Sequence, residues 1–237
     1  MISDSYTMPE HFYSDKESVL VAVDCIIMGF HESDLHILIA KRPFDPLRSN
    51  WSLMGGFVKG NEGLSGAVQR VLYEYTGLTG IYMEQVGVYG EMNRDLGERV
   101  ISIAHYALVD MDKTDISNAE KHGAKWVSIR TLPKLVFDHN LMVTDTIKRL
   151  QQRAAVKPIG FNLLGDQFTL PTLQALYEAI YQEPIDKRNF RKKILAMDIL
   201  EKLETKDKDS SKKGAFYYQF NKEKYELLIQ SGLHFSL

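Results

Sequence analysis

Little in this sequence points to an oxidising compartment, a membrane or a partner of strong opposite charge. Its 237 residues include a single cysteine, Cys25, which excludes a disulfide framework and favours a reducing cytoplasm. The first residues, MISDSYTMPEHFYSDKE, have no apolar core typical of a signal peptide. No stretch approaches the roughly 18 apolar residues of a membrane-spanning helix, and the formal net charge is only -2. We therefore expect a globular cytoplasmic protein with one large domain or two small ones.

Strand patterns dominate up to about residue 155. Runs rich in β-branched residues predict strands at SVLVAVDCIIMGF, LHILIAKR, RVISIAHYALVD and AKWVSI, of which the first two form a hairpin. Helical patterns at about 62–75 and at 142–154 fall among them. Strands that enclose helices predict a layered α+β domain over residues 1–155.

A helical pattern follows and predicts a second domain over residues 156–237. Thr169 is a good N-cap, Pro171 lies in the first turn, and apolar residues follow at helical spacing until Pro184. A second helix is predicted from about Asp186, in DKRNFRKKILAM, and the remainder predicts a strand, a polar loop and a strand. Two helices followed by such a hairpin are typical of a winged helix-turn-helix.

The second helix of this pair is strongly basic on one side. DKRNFRKK contains five bases and one acid within eight residues, while Phe190, Ile194 and Met197 share the opposite side. In a winged helix the second helix enters the major groove, where Arg reads guanine and Asn reads adenine. The predicted DNA contacts lie on this helix and on the loop of the hairpin: Lys187, Arg188, Asn189, Arg191, Lys192, Lys212 and Lys213. The alternative is that the basic side is only a solvated helix face.

The segment GGFVKGNEGLSGAVQRVLYEYTGL, from Gly55 to Leu78, resembles the Nudix box, G-x5-E-x7-R-E-U-x-E-E-x-G-U, where U is a bulky apolar residue. The matching positions are Gly56, Glu62, Arg70, Leu72, Glu74, Gly77 and Leu78. The preceding NWSLMGG is similar to the W-x-L-P-G-G lead-in of that family, with Met54 in place of proline. Two glutamates of the family are replaced, by Val71 and Tyr75.

These two replacements bear on catalysis. The resemblance implies a helix face that holds Mg²⁺ against a substrate diphosphate, and Mg²⁺ needs hard oxygen ligands in near-octahedral geometry. With Glu74 as the carboxylate left there, we expect hydrolysis to be lost or severely reduced, and no metal or other cofactor. Glu62 and Glu74 are then surface acids, Gly56 and Gly77 serve backbone turns, and Arg70 forms an ion pair. The alternative is an active hydrolase of a nucleoside diphosphate derivative with an accessory C-terminal domain.

The chain as a whole resembles the Nudix-related transcriptional regulators of bacteria, which join a degenerate Nudix domain to a C-terminal winged helix. Three further segments carry the resemblance: GVYGEMNRDLGERVISIAHYALV, LPKLVFDH and FTLPTLQALYEAIYQEPIDKRNFRKKIL. It implies a Nudix-like α/β/α sandwich and double-stranded operator DNA as partner. Operators with two-fold symmetry demand two recognition helices, so we expect a homodimer.

The resemblance is closest to the arabinose-responsive repressor of gut bacteria. It therefore implies L-arabinose as the effector and genes of sugar utilisation as the target. The alternative within the same family is an ADP-ribose effector and the control of NAD metabolism.

The candidate effector contacts all lie in the Nudix-like part. A pentose site needs fixed donors and acceptors beside an apolar wall, and a carboxylate within an apolar strand, such as Asp24, needs polar partners. A diphosphate site needs cations. The candidates are Asp24, Trp51, Lys59, Tyr89, Glu91, Arg94 and Arg99, each with a structural alternative. We interpret Asp138, which precedes His139, as a helix cap rather than as half of a catalytic dyad.

Overall fold

A mixed β-sheet lies at the centre of the first part of the chain. The computed structural model describes residues 15–208 and 214–232. The strands of this sheet are β1 (Leu20–His31), β2 (Asp34–Lys41), β3 (Trp51–Ser52), β4 (Met54–Phe57), β5 (Glu84–Tyr89), β6 (Val100–Leu108) and β7 (Lys125–Ser128). β1 is central, since it pairs with β2 and β4 in antiparallel orientation and with β6 in parallel. The predicted hairpin and the two later strands are confirmed, with bounds shifted by one or two residues.

Helices cover both faces of this sheet. α1 (Leu64–Thr76) and the short α2 (Ser117–Lys121) lie on one face, and α3 (His139–Ala154) lies on the other. Successive side chains of β1 point to opposite faces, so Ile27 packs with the α1 cluster whereas Ile26 packs with the α3 cluster. The predicted α/β/α sandwich is therefore confirmed. α3 begins three residues earlier than predicted, and the sequence pattern did not predict α2.

The second part of the chain has the element order of a winged helix. Its elements are β8 (Phe168–Thr169), α4 (Leu170–Tyr181), α5 (Lys187–Ala196), β9 (Leu200–Asp207), β10 (Ala215–Phe220) and α6 (Lys222–Gln230). The strands form an antiparallel sheet in the order β8-β10-β9. The predicted helix pair and hairpin are confirmed. None of the helices in the described residues is long and apolar enough to cross a bilayer.

The starts of α4 and α5 follow the capping rules, whereas the end of α4 and the helix after the hairpin differ from the prediction. The side chains of Thr169 and Asp186 accept backbone N–H groups at the start of α4 and α5, as a good N-cap does. α4 ends at Tyr181 rather than at Pro184, because Gln182 adopts a left-handed conformation with φ 58°. The hairpin is followed by α6, which the sequence pattern did not predict.

The two parts share one hydrophobic core. Leu176 and Ile180 of α4 belong to the same buried cluster as Ile37 of β2 and the apolar face of α3. Gln151 of α3 donates a hydrogen bond to the backbone carbonyl of Ile180 at 2.9 Å. The segment that connects α3 to α4 also packs tightly on α4, since a Cβ on Gly160 would lie 2.9 Å from Leu176 Cδ2. The first helix of the winged helix is therefore also part of the layer that covers the sheet.

Candidate functional site: a polar cleft and a basic helix

Arg70 on α1 organises the loop that precedes the helix. Its guanidinium bonds Glu62 at 2.6 Å and Glu74 at 3.1 Å, and it donates to the Phe57 carbonyl at 2.9 Å. Hydrogen bonds from Arg70 and from the Lys59 backbone N–H lower the pKa of Glu62 to about 2. The expected ion pair of Arg70 is confirmed, and it engages both glutamates that match the Nudix box.

The two positions that depart from the Nudix box lie beside this ion pair. Val71 is fully buried, and a Cβ on Gly56 would lie 2.8 Å from its Cγ2 atom, so the valine packs directly on β4. Tyr75 lines the adjoining cleft, and burial raises the pKa of its phenol. Glu74 is half-exposed and held by Arg70. No group of three His, Cys, Asp or Glu side chains in residues 15–208 and 214–232 could hold a metal ion.

A polar cleft opens where β1, β2 and β4 meet the first turn of α3. It contains about 540 Å³ of empty space, including its mouth. Its polar lining includes Asp24, Arg42, Ser52, Tyr75, Arg94 and His139, and its apolar lining includes Phe44, Phe57 and Phe137. A few convergent polar groups between apolar walls are typical of a small-molecule site.

The floor of the cleft is a buried hydrogen-bond network around His139. Nδ1 of His139 accepts the Leu53 N–H at 3.1 Å, so the proton of the neutral ring lies on Nε2, 3.6 Å from Asp24 Oδ1. Ser102 donates to the other oxygen of Asp24 at 2.5 Å. Burial lowers the pKa of His139, although the charge of Asp24 opposes that shift. A Cβ on Gly55 would lie 2.3 Å from Asp24 Oδ1, so glycine is required for this approach. Asp24 thus has the polar partners that its position demands.

Arg94 anchors the edge of the cleft to the start of α3. Its Nε and Nη2 atoms donate to the two carboxylate oxygens of Asp138 at 2.9 and 2.7 Å. The Arg94 side chain is 3% exposed and that of Asp138 is 19% exposed. The expectation that Asp138 caps α3 is wrong. The residue occupies the N-cap position, but its side chain makes no capping bond because Arg94 engages the carboxylate.

Arg42 lines the cleft together with the cations Lys41 and Arg94, and sequence reasoning missed it. Its guanidinium carbon lies 4.2 Å from the ring centroid of Phe44 and 5.0 Å from that of Phe137. Its Nε donates to the Pro46 carbonyl at 2.7 Å. Phe137 is distant in sequence and is brought to Arg42 by the fold, so no local spacing could have marked the arrangement.

The structure brings two of the seven predicted effector contacts to the cleft, Asp24 and Arg94. The five that do not line it are Trp51, Lys59, Tyr89, Glu91 and Arg99. Three of these have structural partners. Trp51 presents its ring to two lysine ammonium groups, Tyr89 donates to Asp145 of α3 at 3.1 Å, and Arg99 donates to a backbone carbonyl at 3.1 Å. Effector contact by these five residues stays a prediction.

The basic side of α5 faces solvent. Phe190 and Ile194 are buried in the core, as predicted. The exposed residues of this helix include Lys187, Arg188, Asn189, Arg191 and Lys192, which are the predicted DNA contacts. Lys187 and Arg191 also line a groove between α5 and the β9–β10 hairpin. The helix can therefore present cations and an amide to a DNA groove, as the prediction requires.

The hairpin adds two cations that sequence reasoning missed. The ammonium groups of Lys202 and Lys206 lie 3.6 and 4.3 Å from the ring centroid of Phe216, which lines the same groove. The register that pairs Lys206 with Phe216 across β9 and β10 produces this cluster. The predicted contacts Lys212 and Lys213 lie outside the described residues.

Two family profiles match the chain. That of the Nudix domain matches residues 19–145, and that of the NrtR DNA-binding winged helix domain matches residues 160–220. An ADP-ribose pyrophosphatase of Methanocaldococcus jannaschii is 36% identical over 128 residues, which cover 54% of this chain and 73% of the relative.

Two relatives match both parts. The ADPR responsive transcriptional repressor NtrR of Acinetobacter baylyi is 28% identical over 228 residues, which cover 94% of this chain and 91% of the relative. The crystal structure of Shewanella oneidensis NrtR complexed with a 27mer DNA is 27% identical, with a TM-score of 0.75. It covers 87% of this chain and 95% of the solved one. The chain therefore belongs to the Nudix domain family and, with its NrtR-type winged helix, is homologous to the NrtR transcriptional repressors.

Proposed function

We propose that this protein is a transcriptional repressor that binds duplex DNA through α5 and leaves the DNA when ADP-ribose occupies the polar cleft. The observation that carries the proposal is the similarity to an ADPR responsive repressor over 94% of the chain. The comparisons favour ADP-ribose, the alternative effector of the sequence analysis, and give no support to L-arabinose. NAD metabolism is accordingly a better candidate target than sugar utilisation.

Duplex DNA is the partner that the exposed surface of the winged helix suits. Arg188, Asn189 and Arg191 carry side chains that can read base edges in the major groove. Lys202 and Lys206 lie against Phe216, which lines the groove beside α5, and their ammonium groups suit phosphate contacts. Because operators with two-fold symmetry need two such helices, the proposal includes a homodimer. Sedimentation equilibrium would measure the mass of that dimer.

Hydrolysis is not part of the proposed function. Val71 is buried and Tyr75 carries a phenol, so neither can bind a metal ion as a carboxylate does, and Glu74 is paired with Arg70. Purified protein with ADP-ribose and Mg²⁺ should release no AMP at an enzymatic rate, as measured by chromatography. Substantial release that Glu74→Gln abolishes would instead support the active-hydrolase alternative.

α3 is the proposed link between the cleft and the DNA. Its first residue, His139, lies on the floor of the cleft, and Gln151 near its end bonds the carbonyl of Ile180 in α4. The helix has 16 residues, and it spans about 24 Å at a rise of about 1.5 Å per residue. An effector that shifts the start of α3 therefore acts directly on the helix that supports α5. A coupling of about 1–3 kcal/mol, or roughly 5–150-fold in DNA affinity, is typical of such links.

The decisive experiment titrates candidate effectors into a complex of the protein with duplex DNA. Operator duplexes are first enriched from a random-sequence pool by the purified protein, and binding is followed by fluorescence anisotropy. ADP-ribose should release the DNA, whereas L-arabinose and D-ribose should not. Release by L-arabinose alone would overturn the ADP-ribose proposal and leave the repressor proposal intact. If the pool yields no enriched sequence, the repressor proposal itself fails.

A further inference from the structure

We propose that Arg42 is the anion receptor of the polar cleft and that it selects a phosphorylated effector over a neutral sugar. This inference rests on the proposed function, because it assigns the chemistry by which that cleft distinguishes ligands. It concerns a residue at the end of β2, outside the Nudix box and outside the basic helix.

The structure holds the Arg42 guanidinium in one place. The residue closes a tight loop, since its N–H donates to the Asn50 carbonyl at 3.0 Å and its own carbonyl accepts the Ser49 N–H at 2.8 Å. The guanidinium then lies against two phenylalanine rings, and its Nε is fixed by a backbone carbonyl. A long side chain normally loses much rotamer freedom when it binds a ligand. Here the rings and the carbonyl restrict that freedom before the ligand arrives, which favours tight binding.

Arg42 nevertheless has no counter-ion. No carboxylate in residues 15–208 or 214–232 pairs with it, whereas Arg94 at the same cleft and Arg70 on α1 each bond a carboxylate. Within those residues the Arg42 side chain makes one hydrogen bond, from Nε to the Pro46 carbonyl. Its two Nη groups therefore keep their donors available to a ligand. Arg42 lines the cleft that contains buried His139. Burial lowers the pKa of His139 most, the charge of Arg94 lowers it further, and the charge of Arg42 makes the smallest contribution in the same direction. A fixed cation with free donors on a cleft wall is suited to an anionic ligand.

The acids of the cleft are already engaged. Asp24 accepts from Ser102 and faces the Nε2 proton of His139, and Asp95 accepts the Gly97 N–H at 2.8 Å. Neither pairs with Arg42. The planar fork of an arginine matches the oxygens of a phosphate, and such charge-assisted bonds are about twice as strong as neutral ones. A pentose hydroxyl can accept one N–H but cannot balance the charge. The geometry therefore selects phosphoryl groups, and a sugar joined to a diphosphate meets both Arg42 and the polar floor.

Calorimetric titration of the full-length protein tests this inference. The ligands are ADP-ribose, inorganic pyrophosphate, D-ribose and L-arabinose, and the variants are Arg42→Gln, Arg42→Lys and the control Arg48→Gln. Arg48 lies on the same loop and is 63% exposed, beside Asp45. Arg42→Gln should weaken ADP-ribose about 10–100-fold, as expected for hydrogen bonds to a charged group. Arg42→Lys should lie between it and the wild type, because it keeps the charge and loses the fork. Arg48→Gln should bind like the wild type.

The possible outcomes separate the inference from the proposed function. If the wild type and Arg42→Gln bind ADP-ribose equally, the inference is overturned and the proposed function stands. If pyrophosphate binds through Arg42 but ADP-ribose does not bind, the inference stands and the proposed effector is wrong. Binding of a neutral sugar with no binding of either phosphorylated ligand would overturn both. Should Arg42→Gln fail to fold, a wild-type affinity for ADP-ribose in Arg42→Lys would overturn the inference, since the lysine cannot reproduce the fork.

Discussion

The pair of Arg94 and Asp138 gives the sharpest prediction about stability. Both side chains are largely buried and are joined by two charge-assisted hydrogen bonds, so Arg94→Met leaves the Asp138 carboxylate in a poorly solvated place. Removing one partner of a buried pair costs about 3–5 kcal/mol. Because Asp138 retains 19% exposure, we expect the lower end, about 3 kcal/mol in the free energy of unfolding. For a chain of this size the unfolding midpoint should fall by about 6–12 °C.

Tryptophan fluorescence during urea unfolding measures this loss of unfolding free energy in the domain that contains the Arg94–Asp138 pair. Both tryptophans of the chain, Trp51 and Trp126, lie in the Nudix domain, so their signal reports on that part directly. The control is Arg130→Met, because Arg130 is 64% exposed in its pair with Asp34, and exposed pairs contribute only about 0–1 kcal/mol.

A double variant completes the test. Arg94→Met with Asp138→Leu removes the uncompensated charge and should recover much of the lost free energy, so the two changes should not add. The assignment of Arg94 as an anchor fails if Arg94→Met costs no more than Arg130→Met, or if the double variant shows the sum of the single losses.

Three further predictions follow from other parts of the molecule. Arg191→Ala should weaken operator binding by about 1–3 kcal/mol if it reads a base, whereas Lys206→Ala should weaken all sequences equally and reduce the salt dependence, as anisotropy at several salt concentrations would reveal. His139 has a lowered pKa in the folded state, so acidification protonates the unfolded chain first. The free energy of unfolding should then fall below about pH 6.5, by at most about 1.4 kcal/mol per pH unit, and His139→Gln should flatten that slope in denaturant titrations. Leu176→Ala removes a buried side chain of the shared core and should cost about 2–5 kcal/mol in the free energy of unfolding. Although Leu176 lies in the winged helix, the change should lower the unfolding midpoint that tryptophan fluorescence reports for the Nudix domain. The control Leu195→Ala, at a half-exposed position, should leave that midpoint unchanged.

The sequence predicted those features that local patterns encode. Runs of β-branched residues predicted β1 and β2, and the N-cap Thr169 predicted the start of α4. The second helix begins close to Asp186 and buries its apolar side, as expected. α6 was missed although Tyr225 and Leu228 pack on the core from it. The reason is that a short helix after a strand has few periods in which its pattern can appear.

The cleft depends on contacts between distant residues, and these the sequence could not show. Ser102 is 78 residues from Asp24, and their hydrogen bond exists only because β1 and β6 pair in parallel at that register. Asp138 has the composition of a helix cap, but the burial of Arg94 beside it decides its partner. No carboxylate among the described residues pairs with Arg42, although Asp24 and Asp95 line the same cleft, and no one-dimensional pattern records such a missing pair.

The shared core also has a consequence for biosynthesis. The face of the sheet that α4 covers is complete once α3 has been made, yet α4 itself ends about 27 residues later. At roughly 5–20 residues per second, a translating ribosome needs about 1–5 s to supply them. During that interval the nascent Nudix domain presents the apolar side chains of β2 without their cover, and transiently exposed apolar surface of this kind is prone to aggregation. Slow translation across residues 155–181 would lengthen the exposure, so the codons of this stretch are expected to influence the yield of folded protein.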